Sequence, residues 1–106
     1  MLEGFLYRIV EKGDGCAKVE LLPKSPIYAA HFPGYPVTPG VTLVQMGLEL
    51  MGKTLQSAKD IKFVVPVLPA MEGTVLKYEW SVEEDRADVS VFLSDGTLCA
   101  KMALGV

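Results

Sequence analysis

One histidine, His31, is the side chain in this sequence best suited to proton transfer. It is the single histidine among 106 residues, and histidine is the side chain whose unperturbed titration lies closest to neutral pH. It occurs in the segment Ala-His-Phe-Pro-Gly, within a proline-rich stretch that restricts the backbone. A general base acting near pH 7 therefore has one obvious candidate, although a lone histidine is more often a structural or surface residue.

Two further features could assist such a base. A helix that starts with Pro39 leaves the N–H groups of its first turn unpaired, and Gly40 would let a carbonyl oxygen approach its N–H closely. Gln45 and Glu49 lie one turn apart on this otherwise apolar helix. A buried carboxyl group can act as a general acid, whereas a solvated Glu49 would pair with Lys53 one turn later. Periodicity alone leaves both alternatives open.

The elements that must position these residues are mostly strands. Two mainly apolar segments on either side of the turn residues 12–15 predict a hairpin over 5–10 and 16–22. The five prolines between residues 23 and 39 exclude a regular helix there and predict a long, ordered loop. The remaining predicted strands cover 61–68, 74–82, 87–93 and 97–104.

One helix follows the loop. From Val41 the spacing predicts a buried helix of about 15 residues that is capped by Thr38 and ends near Gln56. Gly47 and Gly52 weaken helix propensity, which predicts close approach of another backbone. The element order indicates an α+β fold in which an antiparallel sheet wraps around one long central helix.

Composition bounds the class of protein. The length predicts a single domain over residues 1–106, and an apolar content of 50% leads us to expect partner subunits. A net charge of −3 disfavours nucleic-acid binding. With neither a basic leader nor an apolar run of ~20 residues, we expect a cytoplasmic protein that does not span a membrane, with Cys16 and Cys99 as reduced thiols.

At this point two segments resemble a known family. Residues 31–41 read His-Phe-Pro-Gly-Tyr-Pro-Val-Thr-Pro-Gly-Val, which resembles the HFPGxPxxPGV signature of 3-hydroxyacyl-acyl-carrier-protein dehydratases, the hot-dog enzymes of fatty acid synthesis. Residues 61–69 are similar to the family strand VKFxxPVxPG, with Ala70 in place of the final glycine. The resemblance implies the hot-dog fold and dehydration of a 3-hydroxyacyl thioester.

The resemblance also implies roles for particular residues. His31 would remove the proton α to the thioester, and the N–H of Gly40 would hold the thioester oxygen. The carbonyl of Val37 would orient the imidazole. Phe32 and Val41, which adjoin the base and the helix start, would contact the substrate. The family needs no cofactor or metal, and it places its tunnel at a dimer interface. We therefore expect a homodimer, or an assembly of dimers, acting on a thioester of acyl carrier protein or CoA.

The sequence also departs from the family on the predicted helix. Where the family keeps a catalytic Glu or Asp, fourteen residues after the histidine, this chain has Gln45, and Glu49 stands where the family often has Gln. Three outcomes remain open: Glu49 acts as the acid, directly or through water; His31 performs both proton transfers while Gln45 positions the hydroxyl; or elimination is lost. The rival functions are a hot-dog thioesterase in which Glu49 activates water, and a subunit that only binds acyl carrier protein or pairs with an active homologue.

Overall fold

A computed structural model describes residues 1–69 and 73–106. Within these ranges the chain forms two helices and six strands. The elements are β1 (Tyr7–Gly13), β2 (Cys16–Leu21), α1 (Pro26–Ala30), α2 (Gly40–Met51), β3 (Ser57–Phe63), β4 (Val75–Glu83), β5 (Arg86–Leu93) and β6 (Leu98–Gly105).

The six strands form one antiparallel sheet in the order β1-β2-β4-β5-β6-β3. The predicted first hairpin is confirmed, with Gly13 opposite Cys16 across its turn. β1 and β3 are the two edges. Because β3 follows α2 and pairs with β6, the connection from β2 to β3 passes β4, β5 and β6, and α2 lies in that crossover.

The inner face of the sheet packs on α2, as expected from the alternation in β4. Leu76 and Tyr78 are fully buried, and the Tyr78 hydroxyl donates a 2.8 Å hydrogen bond to the carbonyl of Leu43 in α2. A Cβ atom on Gly47 would lie 3.3 Å from the Tyr78 ring. The prediction at Gly47 was close approach of another backbone, whereas the structure packs the side chains of Tyr78 and Val89 of the sheet against this glycine.

The helix differs from the prediction at both ends. Its N-cap is Pro39, and the Thr38 hydroxyl bonds elsewhere, to Tyr28. Its last residue is Met51, because Gly52 adopts the left-handed conformation, with φ of +68°, that ends many helices. Apart from the chain neighbours of Gly52, no described atom lies within 4 Å of a Cβ built on this glycine. Gly52 therefore caps the helix and makes no close contact with another element.

Two other boundaries also differ. The proline-rich stretch contains α1, whose Pro26 is compatible with a helix because it occupies a first-turn position that needs no N–H. β3 begins at Ser57 and ends at Phe63, before Pro66, whereas the predicted strand ran from residue 61 to 68. Ala70 lies outside the described residues. In the described part of the chain no helix is long and apolar enough to span a membrane.

Candidate active site

The backbone around His31 is fixed by a short helix. The Ser25 hydroxyl caps α1 by accepting from the N–H of Ile27, at 3.4 Å. His31 is the C-cap, and its own N–H donates to the Ile27 carbonyl at 3.0 Å. The position of the histidine thus depends on a helix that the sequence analysis excluded.

The imidazole of His31 is oriented by a backbone carbonyl. Its Nδ1 atom lies 3.1 Å from the carbonyl oxygen of Val37. A carbonyl can only accept, so Nδ1 carries the hydrogen and Nε2 is left to accept a proton. The Val37 N–H donates back to the His31 carbonyl at 3.0 Å, and the Phe32 ring stacks on the imidazole with centroids 4.0 Å apart. This contact between His31 and Val37 is the one expected from the family resemblance.

His31, Val37 and Gly40 line one cavity, of about 370 Å³, at the start of α2. First-turn N–H groups have no acceptor within the helix and can bind a carbonyl oxygen. Three predicted site residues are thus brought together. The cavity walls are largely apolar and also include Thr38, Leu43, Phe63, Val64, Val65, Pro66 and Val67.

Phe63 is a cavity residue to which the sequence analysis gave no role. A Cβ atom on Gly40 would lie 2.5 Å from Cζ of the Phe63 ring, so the ring packs directly against the Gly40 backbone. The ring is 51% exposed, which places it at the mouth of the cavity. The signal was present, because Phe63 belongs to the second segment that resembles the family.

The carboxylate of Glu49 forms a separate cluster. It accepts hydrogen bonds from the N–H groups of Leu2, at 2.9 and 3.1 Å, and of Glu3, at 3.2 Å. The Tyr7 hydroxyl donates to the same carboxylate at 2.9 Å, and the side-chain nitrogen of Gln45 does so at 3.1 Å. The alternative ion pair with Lys53 is not formed, since Gly52 ends the helix before that residue.

These donors control the ionisation of Glu49. Burial acts to raise the pKa of the carboxyl group, but the hydrogen bonds from Leu2, Gln45, Tyr7 and Glu3 together outweigh it and hold the pKa below its usual value. The pKa of Tyr7 is raised, first by burial and then by its bond to Glu49. Near neutral pH Glu49 is therefore an anion with a protonated phenol beside it, which is the opposite of what a general acid requires.

A single chain does not bring Gln45 to His31. Gln45 and Val41 line a second cavity with Val44 and Leu48, and no residue is shared with the His31 cavity. The two cavities are neighbours, because Gly40 lines one and Val41 the other. Val41 is 75% exposed, so the boundary between the cavities is open to solvent in the isolated chain.

Elsewhere in the described part of the chain, a larger cavity lacks the predicted site residues, and no group of metal ligands occurs. A larger cavity, of about 460 Å³, lies on the outer face of the sheet beside Lys18, Lys77 and Glu79, and none of the predicted site residues lines it. Across residues 1–69 and 73–106, no three His, Cys, Asp or Glu side chains are grouped to hold a metal ion. Cys16 and Cys99 are not paired with each other.

The chain is similar to known proteins over most of its length. A family model described as ApeI-like, ApeI dehydratase, matches residues 9–103. The chain is 34% identical to a 3-hydroxyacyl-[acyl-carrier-protein] dehydratase FabZ of Herpetosiphon aurantiacus, over 92% of this chain and 81% of that protein. A FabZ of Caulobacter sp. is 36% identical over 67% of this chain, which spans half of that relative.

Among solved structures, the chain is similar to one titled as the dehydratase heterocomplex ApeI:P from Xenorhabdus doucetiae. The TM-score is 0.72 at 19% identity, and the match covers 93% of this chain and 96% of that chain. At this level of identity the similarity concerns the fold.

Proposed function

The chain belongs to the ApeI-like dehydratase family and has the hot-dog fold, and we propose that it removes water from a 3-hydroxyacyl thioester held on an acyl carrier protein. The product is the trans-2-enoyl thioester. The substrate class is that of the FabZ relative, a 3-hydroxyacyl-[acyl-carrier-protein] dehydratase. The observation that carries the proposal is the hydrogen bond between His31 Nδ1 and the Val37 carbonyl, which leaves Nε2 as a base in the cavity at the start of α2.

The first half of the reaction breaks a C–H bond. His31 Nε2 takes the proton α to the thioester, and the electron pair moves toward the thioester carbonyl. The oxygen gains negative charge beside the Gly40 N–H, where the positive end of the helix dipole also stabilises it. Val37 accepts a hydrogen bond from the imidazolium that forms, which stabilises the charged base.

The second half needs a proton for the departing hydroxyl group. The amide of Gln45 cannot supply one, and Glu49 is held as an anion. The donor is therefore the imidazolium of His31. The charge on the thioester oxygen returns to form the Cα=Cβ double bond, the Cβ–O bond breaks, and the hydroxyl leaves as water with the proton from Nε2. His31 is neutral again, so one residue carries both transfers.

A second copy of the chain completes the site. β3 is an edge strand, and exposed apolar side chains surround the His31 cavity on that side: Val41 at 75%, Phe63 at 51% and Val64 at 50%. An exposed edge with apolar neighbours favours pairing with another chain. A second copy that covers this surface brings its Gln45 beside His31, where the amide positions the hydroxyl group of the substrate.

A thioesterase is less well supported. Hydrolysis would need Glu49 to activate a water molecule next to the thioester carbonyl. The backbone N–H groups of Leu2 and Glu3, the Tyr7 hydroxyl and the Gln45 amide already bind this carboxylate. Moreover, hydrolysis has no use for a base directed at the α carbon.

One experiment separates the candidate functions. The purified protein is incubated with a 3-hydroxyacyl acyl carrier protein, and the mass of the carrier is followed while native mass spectrometry reports the state of the enzyme. We expect loss of one water from the carrier and a dimeric enzyme. Release of the free acid would instead indicate a thioesterase, and binding without any mass change would indicate a carrier-binding subunit. Either result would overturn the proposal.

A further inference from the structure

A buried hydrogen bond joins the two ends of the loop that carries the base. The hydroxyl oxygens of Tyr28 and Thr38 are 2.9 Å apart, and each residue is only 4% exposed. Tyr28 lies in α1, three residues before His31, and Thr38 directly follows Val37. The bond thus connects the element that leads into the histidine with the residue next to the carbonyl that orients it.

The tip of this loop contributes little to holding it. Phe32 and Tyr35 are 52% and 68% exposed, and the tip closes with hydrogen bonds between the backbones of these two residues. The restraints lie where the loop begins and ends. His31 and Val37 exchange hydrogen bonds there, as described above, and the N–H of Thr38 donates to the carbonyl of Val67 at 2.8 Å.

The chemistry of the pair suits a permanent restraint. Burial raises the pKa of Tyr28, against a smaller lowering by its hydrogen bond to Thr38. The phenol therefore stays protonated over the working pH range. Breaking this bond would leave two buried hydroxyl groups without a partner, at the full free-energy cost of their desolvation. Tyr28 and Thr38 are therefore held together firmly. Thr38 is free to take part because the helix is capped by Pro39 instead.

We propose that Tyr28 and Thr38 are positioning residues for His31, acting through the Val37 carbonyl. This inference rests on the proposed function, in which His31 is the base. When the bond between the two hydroxyl groups is present, Thr38 holds Val37 at a fixed distance from α1. The imidazole then keeps Nε2 at the position from which it can reach the α proton. Displacement of a base by a fraction of an ångström lowers the rate of proton transfer more than it weakens substrate binding.

The test compares variants that remove the bond with variants that keep it. Tyr28→Phe and Thr38→Val each delete one hydroxyl group with little change in volume, and Thr38→Ser retains the hydroxyl. We expect the first two to lower kcat about 3- to 10-fold with KM nearly unchanged, and Thr38→Ser to stay near the wild-type kcat. The double variant Tyr28→Phe, Thr38→Val should lose no more than the worse single variant, because both act on one bond.

The controls separate positioning from general stability. Tyr35→Phe removes an exposed hydroxyl from the same loop and should leave kcat unchanged. All assays are run at a temperature where circular dichroism shows every variant to be fully folded. Wild-type kcat in Tyr28→Phe would overturn the inference, as would additive losses in the double variant or an equal loss in Thr38→Ser. Full activity in His31→Ala would overturn the proposed function itself, so the two failures are distinguishable.

Discussion

The side-chain nitrogen of Gln45 lies 3.1 Å from a carboxylate oxygen of Glu49. An ionised carboxylate can only accept hydrogen bonds, so the amide must turn its nitrogen toward Glu49 and its oxygen away. Gln45 therefore presents an acceptor, which suits the hydroxyl hydrogen of a substrate. In the proposed mechanism this acceptor orients the departing hydroxyl group in a chain that lacks the family's acid at this position.

Replacing Gln45 by glutamate should raise dehydratase activity. In Gln45→Glu the introduced carboxyl group lies against the carboxylate of Glu49, and two such groups at this distance share a proton. The remaining donors, from Leu2, Glu3 and Tyr7, still favour the ionised form of Glu49, so the introduced group is the one whose pKa is raised. A general acid of this kind is worth roughly 10²–10⁴-fold in favourable cases, and we expect kcat to rise at least about 10-fold.

The pH dependence of kcat in Gln45→Glu tests whether the introduced carboxyl group donates a proton. A carboxyl group with a raised pKa is a proton donor below that pKa, so the gain in kcat should be lost as pH rises through it. Gln45→Met is the matched control and should show no gain at any pH. If Gln45→Glu has the wild-type kcat and the wild-type pH profile, Gln45 does not lie beside the substrate hydroxyl.

Glu49→Gln should leave most of the activity in place. Glu49 transfers no proton in the proposed mechanism, so we expect kcat to fall by no more than about 3-fold, through a looser Gln45 side chain. Loss of a true general acid would cost roughly 10²–10⁴-fold. Steady-state kinetics on the carrier-protein substrate distinguish these results, and a loss of the larger size would return Glu49 to the proton path.

The same substitution should change the acid sensitivity of the fold. The pKa of Glu49 is lowered from 4.5 in the folded protein, so its contribution to the free energy of unfolding is present above about pH 4.5. That contribution is lost as pH falls through the folded pKa. Urea denaturation at about pH 6 and about pH 3 gives the free energy of unfolding at each pH. Between the two, this free energy should decrease more for the wild type than for Glu49→Gln. Equal decreases would mean that the donors around Glu49 do not stabilise its anion.

Gly40→Ala should impair the enzyme through Phe63. The added methyl group would lie 2.5 Å from the Phe63 ring, so the ring or the helix start must move. We expect kcat/KM to fall about 10-fold or more, since the Gly40 N–H is displaced from the thioester oxygen. In a Phe63→Ala background the same substitution should cost much less. An equal loss in both backgrounds would show that the contact between ring and methyl group is not the cause.

The sequence predicted the fold where one face of an element is buried. β4 alternates cleanly because Leu76 and Tyr78 face α2 while their neighbours face solvent. The start of β3 was missed for the converse reason: it is an edge strand with both faces largely exposed, so Ser57 and its neighbours carry no apolar alternation. The end of α2 was missed because Gly52 was interpreted as a packing position, although its backbone conformation ends the helix.

The parts of the candidate site that lie close together in sequence were predictable. His31 and Val37 are six residues apart within one motif, and their hydrogen bond was expected. The donors to Glu49 were not, because Leu2 and Tyr7 are 47 and 42 residues away from it in sequence. No local periodicity encodes a contact of that range. The ionisation of Glu49, which decides its role, therefore became evident only from the three-dimensional arrangement.

In the proposed mechanism His31 carries both proton transfers, and the kcat of His31→Ala on a 3-hydroxyacyl acyl carrier protein measures that contribution. Circular dichroism and binding of the carrier protein serve as controls for folding and access. We expect kcat to fall by at least about 10³-fold while the variant stays folded and still binds the carrier. Turnover within a few-fold of the wild type would contradict the account.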